Sequence, residues 1–449
     1  MSTPIYDFAK GYAQSGTVRF HMPGHKGVPF HGMEAYDLTE IRGADYLFGA
    51  QGIIAESEAQ TASLFGAART LYSTEGSSLC IKTMLAIAER CRADHGQRML
   101  AVAPRNVHKA FINACILLDI EVCWVYPKDG SRSLCSGGVT AEDIAEVLAA
   151  APRKPDCVYV TSPDYLGTIS DIKGIAGVCH GQGIPLIVDN AHGAYLKFLP
   201  EDMHPITLGA DMCCDSAHKT LPCYTGGAYL HISKSAPESF SACAKNVMSL
   251  FASTSPSYLI MESLDLCSGY LAGSYSEELK NTVSRTALCK KRLEAMGWKL
   301  FGEELCKITI ASGECGITGD ELGDKLRTFS IEPEYTDPDY AVLMVTPFNS
   351  EEDFLRLEEA MGKIPVDKGS PVSFDIVPRA VTRMPIRPAA FAPSEEVSVD
   401  EAEGRICGMT VTCCQPSVPI AVSGEEITRE IVILLKRYGI ERVEVIHNA

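Results

Sequence analysis

Between about residues 56 and 290 the chain alternates short apolar runs with amphipathic stretches, and that alternation limits the folds open to it. Residues 99–103, 122–126, 157–161, 184–189 and 228–232 form the apolar runs. A strand buried on both faces reads as such a run. Helical patterns at 79–92, 110–118, 141–150 and 172–180 fall between them. Strand–helix alternation predicts an α/β fold with a mostly parallel central sheet covered on both faces. Residues 277–296 form a long amphipathic helix, a natural link to a second domain.

Past residue 297 the texture changes to short strands (341–345, 372–377, 411–413) and helices (351–361, 425–437), punctuated by prolines. Three parts are therefore expected: an N-terminal arm over 1–55, a large domain over 56–296 and a smaller α+β domain over 297–449. The formal net charge of −17 argues against nucleic acid as a partner. No run of about 18 apolar residues suggests a membrane span. The start lacks a basic segment followed by an apolar one, so a cytoplasmic protein is expected. The 18 cysteines are scattered, several inside apolar runs, which suits reduced, core-filling thiols. They form no metal-binding spacing with histidine, and no metal is expected.

In parallel sheets, ligands collect beyond the carboxyl ends of the strands. The polar residues His108, Ser162, Asp189, His192 and Lys219 all follow apolar runs. Met212-Cys213-Cys214 leads into Asp215-Ser216-Ala217-His218-Lys219-Thr220-Leu221-Pro222, so Lys219 sits just past a buried strand. Asp189 ends another strand thirty residues earlier. Pyridoxal phosphate needs this pair: a lysine to hold its aldehyde carbon and a carboxylate to keep its ring nitrogen protonated. Ser73-Thr74-Glu75-Gly76-Ser77-Ser78 precedes a helical run, and small hydroxyls at a helix start make a phosphate cradle. Each signal has a plainer reading. A strand-end lysine can be a surface-loop residue, Gly-Ser-Ser a helix cap, and His108 a satisfied core histidine.

Four motifs are shared with a known family. Phe20-His21-Met22-Pro23-Gly24-His25-Lys26-Gly27 lies in the arm, and Arg105-Asn106-Val107-His108-Lys109, Ser216-Ala217-His218-Lys219-Thr220-Leu221-Pro222 and Thr254-Ser255-Pro256-Ser257-Tyr258 lie in the large domain. With them the chain resembles the Orn/Lys/Arg decarboxylases, pyridoxal-phosphate enzymes of the aspartate-aminotransferase fold (fold type I), in their short bacterial form. The resemblance implies that Lys219 carries the cofactor, with His218 touching the phosphate or aiding proton transfer. It implies that Asp189 pairs with the ring nitrogen and that His108 stacks on the ring face. Gly76, Ser77, Ser78 and Ser216 would hold the phosphate, with His192 alongside. Thr254 and Ser255 would reach the phosphate of a partner subunit, so a homodimer or larger homo-oligomer is implied. An amino acid would be the substrate, with polyamine formation as the metabolic setting.

Two departures stand out. The family usually has Asn before the phosphate glycine, where this chain has Glu75, an acid awkward beside a phosphate unless it points away. The family's C-terminal substrate-site glutamate falls on Met409, in a segment reading Gly408-Met409 and then Cys414-Gln415-Pro416-Ser417-Val418-Pro419. An amino-acid decarboxylase whose substrate is not basic is the leading expectation. Transamination or other Cα chemistry, and a non-catalytic binding homologue, are the alternatives.

Overall fold

A computed structural model describes residues 1–126, 133–367, 378–413 and 417–447. The strand expected at 372–377 and residues Cys414, Gln415 and Pro416 lie outside the described residues. The architecture is α/β, and the chain divides into two compact units. Strands β1 (Arg69–Ser73), β2 (Leu100–Pro104), β3 (Glu121–Val125), β4 (Cys157–Thr161), β5 (Leu186–Asp189), β6 (Met212–Asp215) and β7 (Ala228–Ile232) form its central sheet. Helices in this part are α1 (Pro4–Gln14), α2 (Ile53–Phe65), α3 (Gly76–Cys91), α4 (Lys109–Leu118), α5 (Ala141–Ala150), α6 (Ile172–Gly181), α7 (Pro205–Leu208), α8 (Ala217–Thr220), α9 (Glu238–Met248), α10 (Tyr258–Leu271) and α11 (Tyr275–Ala295).

The first unit comprises Met1–Asp94, Asp156–Tyr159 and Ile172–Glu277. Here β7 runs antiparallel between β1 and β6, and β5 runs parallel to β6. Leu186, Ile187, Val188, Met212, Cys213 and Cys214 are all buried, as their uninterrupted apolar runs require. Asp189 and Asp215 then close β5 and β6 at the same end, because parallel pairing aligns their carboxyl termini.

The N-terminal region is more regular than its sequence suggested. Pro4 opens α1, a position where a missing N–H costs nothing. Asp265 of α10 accepts the Ile5 and Tyr6 N–H groups at 2.9 and 3.0 Å, doing from a distance what a local cap would do. One turn back on α10, Glu262 is buried. Burial, then the neighbouring charges of Asp37 and Asp265, push its carboxyl up to about 8. A carboxyl raised in the folded state keeps its full contribution below the unfolded value of 4.5 and loses it as pH rises through about 8. Glu262→Gln should therefore be more stable than the parent at pH 9, by roughly 3 kcal/mol, and similar to it at pH 4.5. Urea midpoints of both proteins across that range check this. Parallel pH profiles would show that Glu262 titrates normally.

The second unit comprises His95–Pro155, Val160–Asp171 and Glu278–Ala449. Its β2 and β3 are parallel. A separate four-stranded sheet has the order β10 (Tyr335–Thr336), β11 (Ala341–Met344), β9 (Lys307–Ile310), β8 (Leu300–Phe301), each pair antiparallel. Ile308, Ile310 and Ala341 of that sheet share a core with Leu293 of α11 and Phe354 and Leu357 of the helix Glu351–Lys363. The helix expected over 425–437 begins later, at Arg429. Thr428 caps it by accepting the Ile431 N–H, and Glu425 is taken instead by a buried ion pair with Arg105 at 2.7 Å.

Candidate active site

The carboxyl ends of β5 and β6 are tied together by their own polar residues. Asn190 N–H donates to the Cys214 carbonyl at 2.9 Å, and its side-chain amide donates to Asp215 Oδ1 at 2.6 Å. Asp189 is buried, and its carboxylate is held from two sides. Tyr159 O–H donates to Oδ2 at 3.1 Å, while Ala191 N–H and the Cys214 thiol donate to Oδ1 at 3.1 and 3.6 Å. Each carboxylate oxygen has two lone pairs, so Oδ2 keeps acceptor capacity for another donor.

Three residues after Asp189, buried His192 places Nε2 3.0 Å from Lys219 Nζ. Lys219 is half-buried, on the single turn of α8 that follows β6. Its neighbour His218 is fixed by the Gly227 carbonyl, which accepts from both His218 N–H and Nδ1–H, at 3.1 and 2.9 Å. Ser216 O–H donates to Ser77 Oγ at 2.7 Å, which joins the lysine turn to the start of α3. Gly76 opens that helix at φ +68°, a left-handed conformation that suits glycine. Ser77 and Ser78 stand in the first turn of α3, where N–H groups lack helical partners.

Lys219, His192, Asp189, Ser216, Ser77, Gly76 and His218 thus belong to one connected neighbourhood of the first unit. Thr254 and Ser255 are exposed on the loop between α9 and α10. His108, in the second unit, caps α4 by accepting the Ala110 N–H on Nδ1 at 3.1 Å. Glu75 does point away from the helix start: its Oε1 accepts the Ser253 N–H at 2.8 Å. Glu75 thereby ties the start of α3 to the loop that carries Thr254 and Ser255.

Sequence reasoning passed over Tyr159, Asn190 and the partners of Asp215. Asp215 is fully buried and meets His204 Nε2 at 3.1 Å and His231 Nε2 at 3.2 Å. Thr70 of β1 in turn bonds His231 Nδ1 at 2.8 Å. Burial acts to raise the Asp215 pKa, but His204, by charge and hydrogen bond, and His231 hold it well below the usual carboxylate range. Four elements supply these partners, so no spacing in the sequence announced them.

The family model described as "Orn/Lys/Arg decarboxylase, major domain" matches residues 3–309. The chain belongs to the Orn/Lys/Arg decarboxylase family. It is 29% identical to the arginine decarboxylase of Bacillus subtilis, over 95% of this chain and 92% of that one. It is 28% identical to the arginine decarboxylase of Halalkalibacterium halodurans, over 95% and 91%. Among solved structures, the lysine decarboxylase LdcF of Francisella novicida superposes with a TM-score of 0.81 at 16% identity, covering 99% of this chain and 81% of that one. The constitutive lysine decarboxylase of Escherichia coli gives 0.78 at 17%, covering 99% and 82%. At those identities the superpositions establish the fold, and the family match establishes a decarboxylase lineage for the Lys219 neighbourhood.

Proposed function

We propose that the protein uses pyridoxal phosphate to remove the α-carboxyl group of an amino acid whose side chain carries no distal cation. The observation that carries this reading is the contact of Lys219 Nζ with His192 beside buried Asp189. The donor set fits the cofactor: a primary amine for its aldehyde, an acceptor-only carboxylate for its ring nitrogen, and hydroxyls with free helix N–H groups for its phosphate. When bound, pyridoxal phosphate supplies an electron sink for the pair of electrons left at Cα as carbon dioxide departs.

The chain's own groups do the rest. Asp189 would hold a proton on the ring nitrogen, and Tyr159 holds Asp189 at 3.1 Å. His192 sets the position of Lys219 Nζ and exchanges a proton with it, so the amine can return a proton to Cα. Gly76, Ser77, Ser78, Ser216 and His218 would fix the phosphate end. The names of the arginine decarboxylase relatives favour a second reading, a basic substrate. Against it, the sequence holds no acid between Arg405 and Glu425, and Glu425 is already matched by Arg105.

A homodimer or larger homo-oligomer in the cytoplasm is part of the same proposal, and no helix among the described residues is long and apolar enough to cross a membrane. Phe20 and Phe30 on the arm are 94% and 82% exposed, with Val18, Met22 and Val28 nearby, a patch that a second copy would cover. Exposed Thr254 and Ser255 would then complete the partner's phosphate site. In this reading residues 1–55 act as an interface arm, 56–296 as the cofactor domain and 297–449 as the smaller domain. Carbon dioxide release from an amino-acid panel, followed across a sedimentation gradient, tests both parts. Activity should travel with the dimer or a larger species. Activity confined to monomer, or keto-acid formation without carbon dioxide, would contradict the proposal.

A further inference from the structure

Most cysteines of the first unit are sealed in its core. Cys80, Cys213 and Cys214 are fully buried, and burial pushes their thiols far above the ordinary value. Cys91 and Cys243 differ. Both are only partly buried, and their sulfurs lie 3.7 Å apart. Cys91 is the last residue of α3 and Cys243 lies midway along α9. At the other end of this helix pair, Glu75 just before α3 accepts from Ser253 just after α9. The two helices therefore run antiparallel, with the thiol pair joining the last residue of α3 to the middle of α9 and the Glu75–Ser253 strap at the start of α3.

We propose that Cys91 and Cys243 are a site of reversible oxidation by peroxides, forming a disulfide that staples α3 to α9. The sulfurs need to close from 3.7 Å to ~2 Å, and both residues are only partly buried. Burial, then the adjoining Cys91 thiol, push the Cys243 thiol up to about 11. Taking Cys91 as the attacking sulfur, its thiol gives up a proton and attacks one peroxide oxygen, the O–O bond breaks, and the departing hydroxide takes up that proton, so a sulfenic acid and one water result. The Cys243 sulfur then attacks the Cys91 sulfur, the S–O bond breaks, and the leaving hydroxyl takes the Cys243 proton as a second water. Two thiols are oxidised to one disulfide, and one peroxide is reduced to two waters. Cys135 and Cys413 also share a thiol hydrogen bond, but both are buried, so they serve as an internal control that should resist.

The test uses the full-length protein as purified, treated with hydrogen peroxide at a few equivalents, alkylated and digested without reduction. The expected result is a linked Cys91–Cys243 peptide, lighter than the sum of its halves by two hydrogens and separated by dithiothreitol. In Cys243→Ser the linked peptide should vanish, and dimedone should label Cys91. The parent digest decides the matter even if a variant folds poorly. Parent protein whose other thiols are oxidised while Cys91 and Cys243 remain alkylated, or in which either is linked to a different cysteine, overturns the proposal.

Discussion

Lys219→Ala is expected to lose the visible absorbance of bound cofactor together with all but a residual of its activity. Lys219 is the primary amine at the carboxyl end of β6, and its Nζ lies 3.0 Å from His192. No other group in that contact can form a carbon–nitrogen bond with an aldehyde and also return a proton afterwards. Losing the acid–base role alone costs roughly 10^2–10^4-fold in rate, and losing the covalent tether adds to this. Borohydride reduction of the parent should add the cofactor's mass to the peptide carrying Lys219, and no such addition should occur in the variant. Lys219→Arg keeps a positive charge but not the nucleophile, so it should fail likewise. A variant with the parent's absorbance band and turnover would move the chemistry away from this lysine.

The second large effect concerns what the protein refuses. On the family resemblance Met409 would stand where a glutamate is usual, and the residue is 43% exposed in the isolated chain. Nearby, Thr410 bonds Ser423 at 3.0 Å, and one carboxylate oxygen of Glu425 is committed to both Arg105 and the Val422 N–H, at 2.7 and 2.8 Å. An ammonium or guanidinium leaving water for a site without an opposite charge bears its desolvation cost uncompensated. Removing one partner of a buried pair costs roughly 3–5 kcal/mol, equivalent to two to four powers of ten at about 1.4 kcal/mol each. The parent should thus show kcat/KM for lysine, ornithine and arginine at least ~10^2-fold below that for its best uncharged amino acid. Met409→Glu should narrow that gap. Efficient turnover of a basic amino acid by the parent, unchanged in Met409→Glu, would place the cation's partner elsewhere.

How much could be read in advance depends on how far each cause extends along the chain. The strands 157–161 and 228–232 and the helix 141–150 have the bounds expected, because burial on both faces or on one stripe writes itself into consecutive residues. Lys219, Asp189 and the Ser77 turn were legible for a related reason: each stands at the edge of such a run. The helix expected from 425 starts at Arg429 because an ion pair with Arg105, distant in sequence, claims Glu425. α1 was missed because its stabilising acceptor, Asp265, is supplied by α10. Glu75 was a puzzle for the same reason, since its partner Ser253 comes from another loop. Contacts between remote segments leave no period and no spacing.

The buried Asp215 cluster has a consequence for how such sequences can change over time. Its carboxylate answers at once to His204, His231 and Asn190, and His231 answers to Thr70. Exchanging Asp215 alone for an apolar residue strands two imidazoles in the core, and exchanging either histidine alone leaves a charge half-matched. Each single step is costly while the joint replacement is not, so the effects are far from additive. Across the family, positions 204, 215 and 231 are therefore expected to change together. Lineages that carry a neutral residue at 215 should have had to cross by way of a compensating substitution at one of the two histidines.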